Sequence, residues 1–183
     1  MAKILASLSL LASLATSDLL GIPTVPFNEH SGRIDISSLR RIIVDVEHCE
    51  TTDTTGHTLI PPTLLDFANT FASDLESTGC QTEVVAGDHA EYGSIFLTLG
   101  NSSEFVDAAG RWTAEAYSLD VSDDRIIITG ASPLGAWWAT RSVFQQQALN
   151  GAIATGHGID APGWGTRGIM VSFLLTHICS HHI

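Results

Sequence analysis

Ala116-Tyr117-Ser118-Leu119-Asp120-Val121-Ser122-Asp123-Asp124-Arg125-Ile126-Ile127-Ile128-Thr129-Gly130 is the stretch that decides the fold. Its first half alternates, with Tyr117, Leu119 and Val121 on one side and Ser118 and Asp120 on the other. That period of two belongs to a strand with one covered face. Ser122-Asp123-Asp124 is turn chemistry, and Arg125 to Thr129 is a second, β-branched run. Together they predict a β-hairpin. Gly130 to Pro133 then turns the chain into a helix that starts near Leu134, runs to about Leu149 and stops at Asn150-Gly151. Ser132 serves as its N-cap and Pro133 as its first residue.

Upstream, Ser94 to Leu99 and Thr82 to Val85 read as strands, and Arg41 to Val46 as a short β-branched one. Pro61-Pro62 opens a helix in which Leu64, Leu65, Ala68, Phe71, Ala72 and Leu75 recur at helical spacing before Gly79 stops it. Residues 18–38 hold Pro23, Pro26, Gly32 and Ser37-Ser38 and read as an extended lead-in. Glu50 to His57 reads as a polar loop, and the Gly-rich residues 151–167, with Pro162, as a linker. The order β-α-β-β-β-β-α predicts an α+β domain, a small mixed β-sheet with helices packed on one face.

Composition narrows the function classes. In 183 residues, 44% hydrophobic content supports one packed domain, and no internal repeat is visible. A net charge of −12 argues against a nucleic-acid partner, because phosphate backbones need clustered Lys and Arg. Lys3, the apolar run Ile4 to Leu14 and the small residues Ala15, Thr16 and Ser17 have the layout of a signal peptide over residues 1–17. The run is shorter than the ~20 residues of a membrane span. The expectation is a secreted, extracellular chain with no membrane contact after cleavage. In that setting Cys49 and Cys80 are the pair a disulfide would join, leaving Cys179 odd; the alternative is two free, buried thiols. Asn101-Ser102-Ser103 is an N-glycosylation sequon.

Few residues suggest chemistry. Gly130-Ala131-Ser132 has the look of a nucleotide-binding turn, but the next glycine is Gly135 and two tryptophans follow, which crowds a pyrophosphate. A strand-to-helix turn with a capping serine explains it better, so no cofactor is expected. Trp137 and Trp138 offer faces for a sugar ring, yet neighbours in a helix point to different sides, so at least one belongs to packing. His177, Cys179, His181 and His182 in the tail include a pair four residues apart but no positioned acid, so no metal site is assigned. No Gly-x-Ser-x-Gly elbow is present, and Asp123-Asp124 sits in a solvated turn. Neither a catalytic nor a substrate-binding residue is assigned.

Glu115-Ala116-Tyr117-Ser118-Leu119-Asp120-Val121, then Ile126 to Ala131, then Gly135 and a helix ending in Gln145-Gln146-Gln147, resemble the N-terminal domain of secreted β-N-acetylhexosaminidases, glycoside hydrolase family twenty. The likeness is greatest to fungal members with the bacterial-type N-terminal domain and covers roughly residues 20–171. It implies a zincin-like accessory domain leading into a catalytic (β/α)₈ barrel. Arg167-Gly168-Ile169-Met170-Val171 is similar to the start of that barrel's first strand. The family then places an Asp and, three residues on, a sugar-gripping Arg; here those positions hold Ser172 and Leu175. The family's Asp-Glu pair, the acid and the residue orienting the substrate's acetamido nucleophile, is not found either.

The resemblance therefore divides the chain into a signal peptide (1–17), an accessory domain (18–150), a linker with the start of the barrel strand (151–171) and a non-family tail (172–183). The break is expected to reflect a shortened product or a misread gene. The expected function is scaffolding for an enzyme acting on terminal N-acetylhexosamine, with the catalytic barrel as partner and no activity of its own. The alternative is a stand-alone secreted carbohydrate- or protein-binding module.

Overall fold

The computed structural model describes residues 27–54 and 59–163. Residues 1–17, read above as a signal peptide, together with Trp164, Arg167 to Val171, Ser172, Leu175 and the histidine-bearing tail, lie outside the described residues.

Seven strands form one mixed sheet: β1 (Asn28–Ile34), β2 (Arg41–Asp45), β3 (Glu83–Gly87), β4 (Ser94–Leu99), β5 (Tyr117–Val121), β6 (Arg125–Gly130) and β7 (Ile153–Asp160), in the order β1-β7-β5-β6-β4-β2-β3. The β3-β2-β4-β6 half is parallel; β5 pairs antiparallel with β6 and β7, and β7 with β1. Two helices, α1 (Leu64–Ser77) and α2 (Pro133–Asn150), complete the fold.

The register shows why the helices share one face. Ile42, Ile95, Ile126 and Val121 are successive cross-strand partners, as are Val44, Leu97, Ile128 and Leu119. All are buried in one cluster with Leu64, Ala68, Phe71 and Leu75 of α1 and Ala136, Ala139 and Val143 of α2. Each fully buried large aliphatic or aromatic side chain contributes about 1.5–3 kcal/mol. The predicted hairpin is β5-β6, with Leu119 opposite Ile128.

Helix boundaries follow local chemistry. Thr63 caps α1 in a capping box with Asp66, and Gly79, at φ 88°, ends the turn beyond it. The Thr63 backbone N–H holds the Asp66 carboxyl below its ordinary range. Ser132 caps α2 ahead of Pro133, and left-handed Gly151 closes it. A second cap comes from far away: buried Asp53 accepts from Leu134 N at 2.9 Å and from Ser132 Oγ at 3.2 Å. A carboxylate there suits the positive end of the helix dipole.

Gly130 and Gly135 are needed for space. A Cβ on Gly130 would lie 2.4 Å from Ala136 N, and one on Gly135 would lie 2.2 Å from Ala116 O. The glycines let α2 press onto the chain entering β5, which is why this turn imitates a nucleotide loop without being one.

Two expectations are corrected. Residues 151–167 are not simply a linker: Ile153–Asp160 is β7, hydrogen-bonded between β1 and β5, and the lead-in contains β1. Gly156 and Gly158 dilute the strand signal because Phe27 fills the space above them, its Cδ2 lying 2.7 Å from where a Gly158 Cβ would sit. The compact unit thus continues ten residues past 150, to Asp160. Nor does a Cys49–Cys80 bridge form: both thiols are free, Cys80 buried and Cys49 partly so. Leu65 N donates to Cys49 O, and Cys80 N to Leu75 O, so the cysteines flank opposite ends of α1. The helix rise between Leu65 and Leu75 is roughly 15 Å, well beyond the roughly 7 Å that limits a disulfide.

Candidate functional site

A groove of about 1010 Å³ runs along the flank of α2, with Trp138, Arg141 and Gln145 on one wall and Val106 and Ala108 on the other. Tyr117, buried on the sheet, lies at its base, and Ile159 to Gly163 also line it. Three interactions shape it.

Arg141 is held in a sandwich. Its guanidinium lies 3.8 Å from the Trp137 ring centroid, and its Nη1 donates to Asp74 Oδ2 at 2.5 Å. Trp137 in turn stacks on Phe67, with centroids 5.1 Å apart. This stack locks α2 to α1, and desolvated cation–π contacts of this kind are worth up to about 2 kcal/mol. Trp137 therefore points inward, while Trp138 is 41% exposed on the groove, the two-sided placement expected of adjacent helical residues.

The opposite wall is pinned by Asp107, which accepts from Arg111 Nη2 at 2.6 Å, Arg111 Nε at 2.9 Å and the backbone N–H groups of Ala109 and Arg111. The Arg111 hydrogen bonds hold its carboxyl below the usual range. A bridge between Val106 and Trp112 carries exposed Trp112 beside this wall.

At the base, Tyr117 Oη and Ser142 Oγ share a 2.7 Å hydrogen bond. Asp160 faces Tyr117 across the β5-β7 register and is 9% exposed. Burial pushes both the phenol and the carboxyl upward from their ordinary values. Among the described residues, Asp160 Oδ1 has no hydrogen-bond partner. Because the folded state holds the phenolic proton more tightly than the unfolded chain, stability falls as pH rises beyond the unfolded value of about 10. In a Tyr92→Phe chain, where Tyr117 is the sole phenol, tyrosinate absorbance should stay absent at about pH 11 and appear only as the domain unfolds. A titration complete before the loss of circular dichroism would contradict the burial argument.

Glu104, Glu115 and Asp160 border the groove, and no group of three metal-ligating side chains exists among the described residues. Asp124 is tied to Arg125 at 2.7 Å, and that hydrogen bond, with one from Ser122, brings its carboxyl down to about 2. Asn101 is exposed just past β4. Sequence reasoning missed Ser142, Asp53 and Asp160, the last because its strand was read as linker. The signal available was the alternation of Ile153, Thr155, His157 and Ile159.

Residues 54–156 match the family described as Glycosyl hydrolase family 20, domain 2. Among solved structures, a chitobiase from Flavobacterium johnsoniae matches with 15% identity and a TM-score of 0.51 over 78% of this chain and 20% of that one. A mutant Streptomyces plicatus β-hexosaminidase in complex with GlcNAc matches with 17% identity and a TM-score of 0.50 over 77% of this chain and 26% of that one. At such identities the likeness is one of fold. The chain spans only about a quarter of the length of the solved structures it matches. No curated protein matches the sequence. The family match covers more than half of the chain and takes in both helices and the sheet from β3 into β7, so the chain belongs to glycosyl hydrolase family 20, as its domain 2.

Proposed function

We propose that this chain is the accessory domain of a secreted β-N-acetylhexosaminidase, that it supports the catalytic barrel by docking through the outer flank of α2, and that it contributes no catalytic carboxylate. The contrast between the two helices carries this reading. Helix α1 is cleanly two-sided, with Leu64, Ala68, Phe71 and Leu75 buried and Asp66, Asn69, Thr70 and Glu76 exposed. Helix α2 buries Ala136, Ala139 and Val143 yet also exposes Trp138 (41%) and Leu149 (58%) on its far side. Large apolar side chains on the outward side of a helix suit that side to being covered by a partner, and Trp112, bridged to the groove residue Val106, is 57% exposed as well. Family membership supplies the cover, a catalytic domain. A parent enzyme acting on terminal N-acetylhexosamine is the reading we adopt, in keeping with the names of the chitobiase and β-hexosaminidase whose fold the chain shares. Secretion rests on the signal-like residues 1–17, and with it glycosylation at Asn101.

Sedimentation velocity tests the docking surface. The purified chain should self-associate through its uncovered flank, and Trp138→Glu should make it monomeric. The same substitution should weaken binding to the family's catalytic domain at least tenfold, as loss of an interface tryptophan worth about 2 kcal/mol or more does. Its own thermal stability should stay within about 0.5 kcal/mol. A monodisperse wild-type chain that ignores the catalytic domain would defeat the proposal. Binding of chitin oligosaccharides that depends on Trp112 or Trp138 would favour a carbohydrate-binding module instead.

A further inference from the structure

The geometry points to a receptor for one arginine side chain, formed in the groove by the Asp160 carboxylate and the Trp138 ring and filled by the polypeptide that docks on α2. Only the source of that arginine, the catalytic domain, rests on the accessory-domain reading; the receptor belongs to this chain.

Asp160 sets the charge. It lines the groove, is nine-tenths buried, and among the described residues its Oδ1 accepts no hydrogen bond. Buried polar groups in folded proteins are nearly always satisfied, and a buried carboxylate needs a cation to offset its lost hydration. The groove does not supply that cation. Among the described residues that line it, Arg141 alone is cationic, and its guanidinium is tied to Asp74 and stacked on Trp137. The groups that favour the ionised form of Asp160 are the Tyr117 hydroxyl and the Ala161 backbone, neither of them charged. Of the other lining acids, Asp107 is paired with Arg111, Glu115 has an interaction of its own, and Glu104 is exposed to water.

Depth and shape then select arginine. Because Asp160 is recessed, a partner reaches it only with a long side chain, which leaves lysine and arginine. Trp138, 41% exposed, offers an indole ring on the same groove. A guanidinium both stacks on indole and forks onto a carboxylate, whereas an ammonium is a compact point charge. The domain already holds one arginine in this way: Arg141 joins the Asp74 carboxylate and the Trp137 ring, 3.8 Å from the ring centroid. Arg141 also sets a second condition. Its Nη2 is buried and donates to nothing among the described residues, so the occupant must bring an acceptor as well. Backbone carbonyls of a polypeptide supply one, which favours an arginine residue over a free guanidinium ion. A groove of about 1010 Å³ has room for both functions.

Binding of two capped amino acids to the full chain, followed by NMR titration, tests the receptor. Nα-acetyl-arginine methylamide and its citrulline counterpart share shape and backbone, and only the first is charged. The arginine probe should bind tighter by about tenfold or more, the margin of a hydrogen bond to a charged group over a neutral one. Asp160→Asn should erase that preference, and Trp138→Leu should weaken binding of the arginine probe by about fivefold through the lost cation–π contact. Asp160→Asn should not lower the thermal midpoint, because it removes a lone buried charge, so loss of fold does not imitate loss of binding. Equal affinity for the two probes, or a preference that survives Asp160→Asn, would overturn the receptor. Association with the family's catalytic domain separates the two proposals. A chain that prefers arginine but ignores that domain would defeat the accessory-domain reading and leave the receptor standing. Association that Asp160→Asn leaves unchanged would remove the catalytic domain as the source of the arginine and leave the reading standing.

Discussion

Gly135→Ala is expected to lower the stability of the domain by about 3 kcal/mol or more, the upper end of overpacking costs. Helix propensity alone argues for the opposite sign, since alanine is favoured over glycine by about 1 kcal/mol inside a helix. The contact decides it. The new Cβ would lie 2.2 Å from Ala116 O and 3.0 Å from Ala114 O. Neither carbonyl is free to retreat, because Ala116 O accepts from Ala131 N at 2.8 Å and Ala114 O from Ser132 Oγ at 2.8 Å. Moving α2 away instead would open the Ala136, Ala139 and Val143 contacts with the sheet. At about 3 °C per kcal/mol for a domain of this size, the thermal midpoint should drop by about 10 °C. A midpoint that rises would show that propensity outweighs packing at this position and that α2 sits less closely on the chain entering β5 than described.

Phe71→Ala should cost about 3–5 kcal/mol, the range for truncating a buried phenylalanine. Phe71 is fully buried at the centre of α1 and lies against the sheet in the main cluster. Its ring also sits 5.6 Å from the Arg141 guanidinium, so its loss loosens the stack that joins the helices. Domains of this kind have total stabilities of about 5–15 kcal/mol, so the variant should be largely unfolded in mild urea. Phe71→Leu keeps most of the volume and should cost under about 2 kcal/mol. Urea unfolding followed by circular dichroism separates the two. Equal midpoints for both variants would mean that α1 is not packed as described.

The parts of this fold that local chemistry determines were legible in the sequence. The Tyr117–Gly130 hairpin followed from alternation and a polar turn, and the start of α2 from Ser132-Pro133. The burial of α1 followed from the spacing of Leu64, Ala68, Phe71 and Leu75. What stayed hidden depends on partners distant in the chain. β7 contains two glycines whose missing side chains are replaced by the Phe27 ring, a substitution no window of sequence reveals. Asp53 caps a helix some eighty residues away. The cysteine pairing failed because oxidising context suggests a bond but not a distance, and a whole helix stands between the two thiols. The groove was half visible. Trp137 and Trp138 were read correctly as diverging, but Asp160 lay in a stretch whose glycines and proline looked like linker. Ser142 and Tyr117 meet only once α2 lies across β5.

Asp53 and Asp66 cap helices, Asp74, Asp107 and Asp124 are ion-paired, and Trp138 and Leu149 are exposed on the outer side of α2. The most direct test of the central claim, that this chain supports catalysis without performing it, is release of N-acetylglucosamine from a chromogenic β-N-acetylglucosaminide by the purified chain. The account predicts release at the rate of a buffer blank, at every pH at which the domain is folded. Saturable turnover that co-purifies with the 183-residue chain and disappears in Phe71→Ala would contradict it.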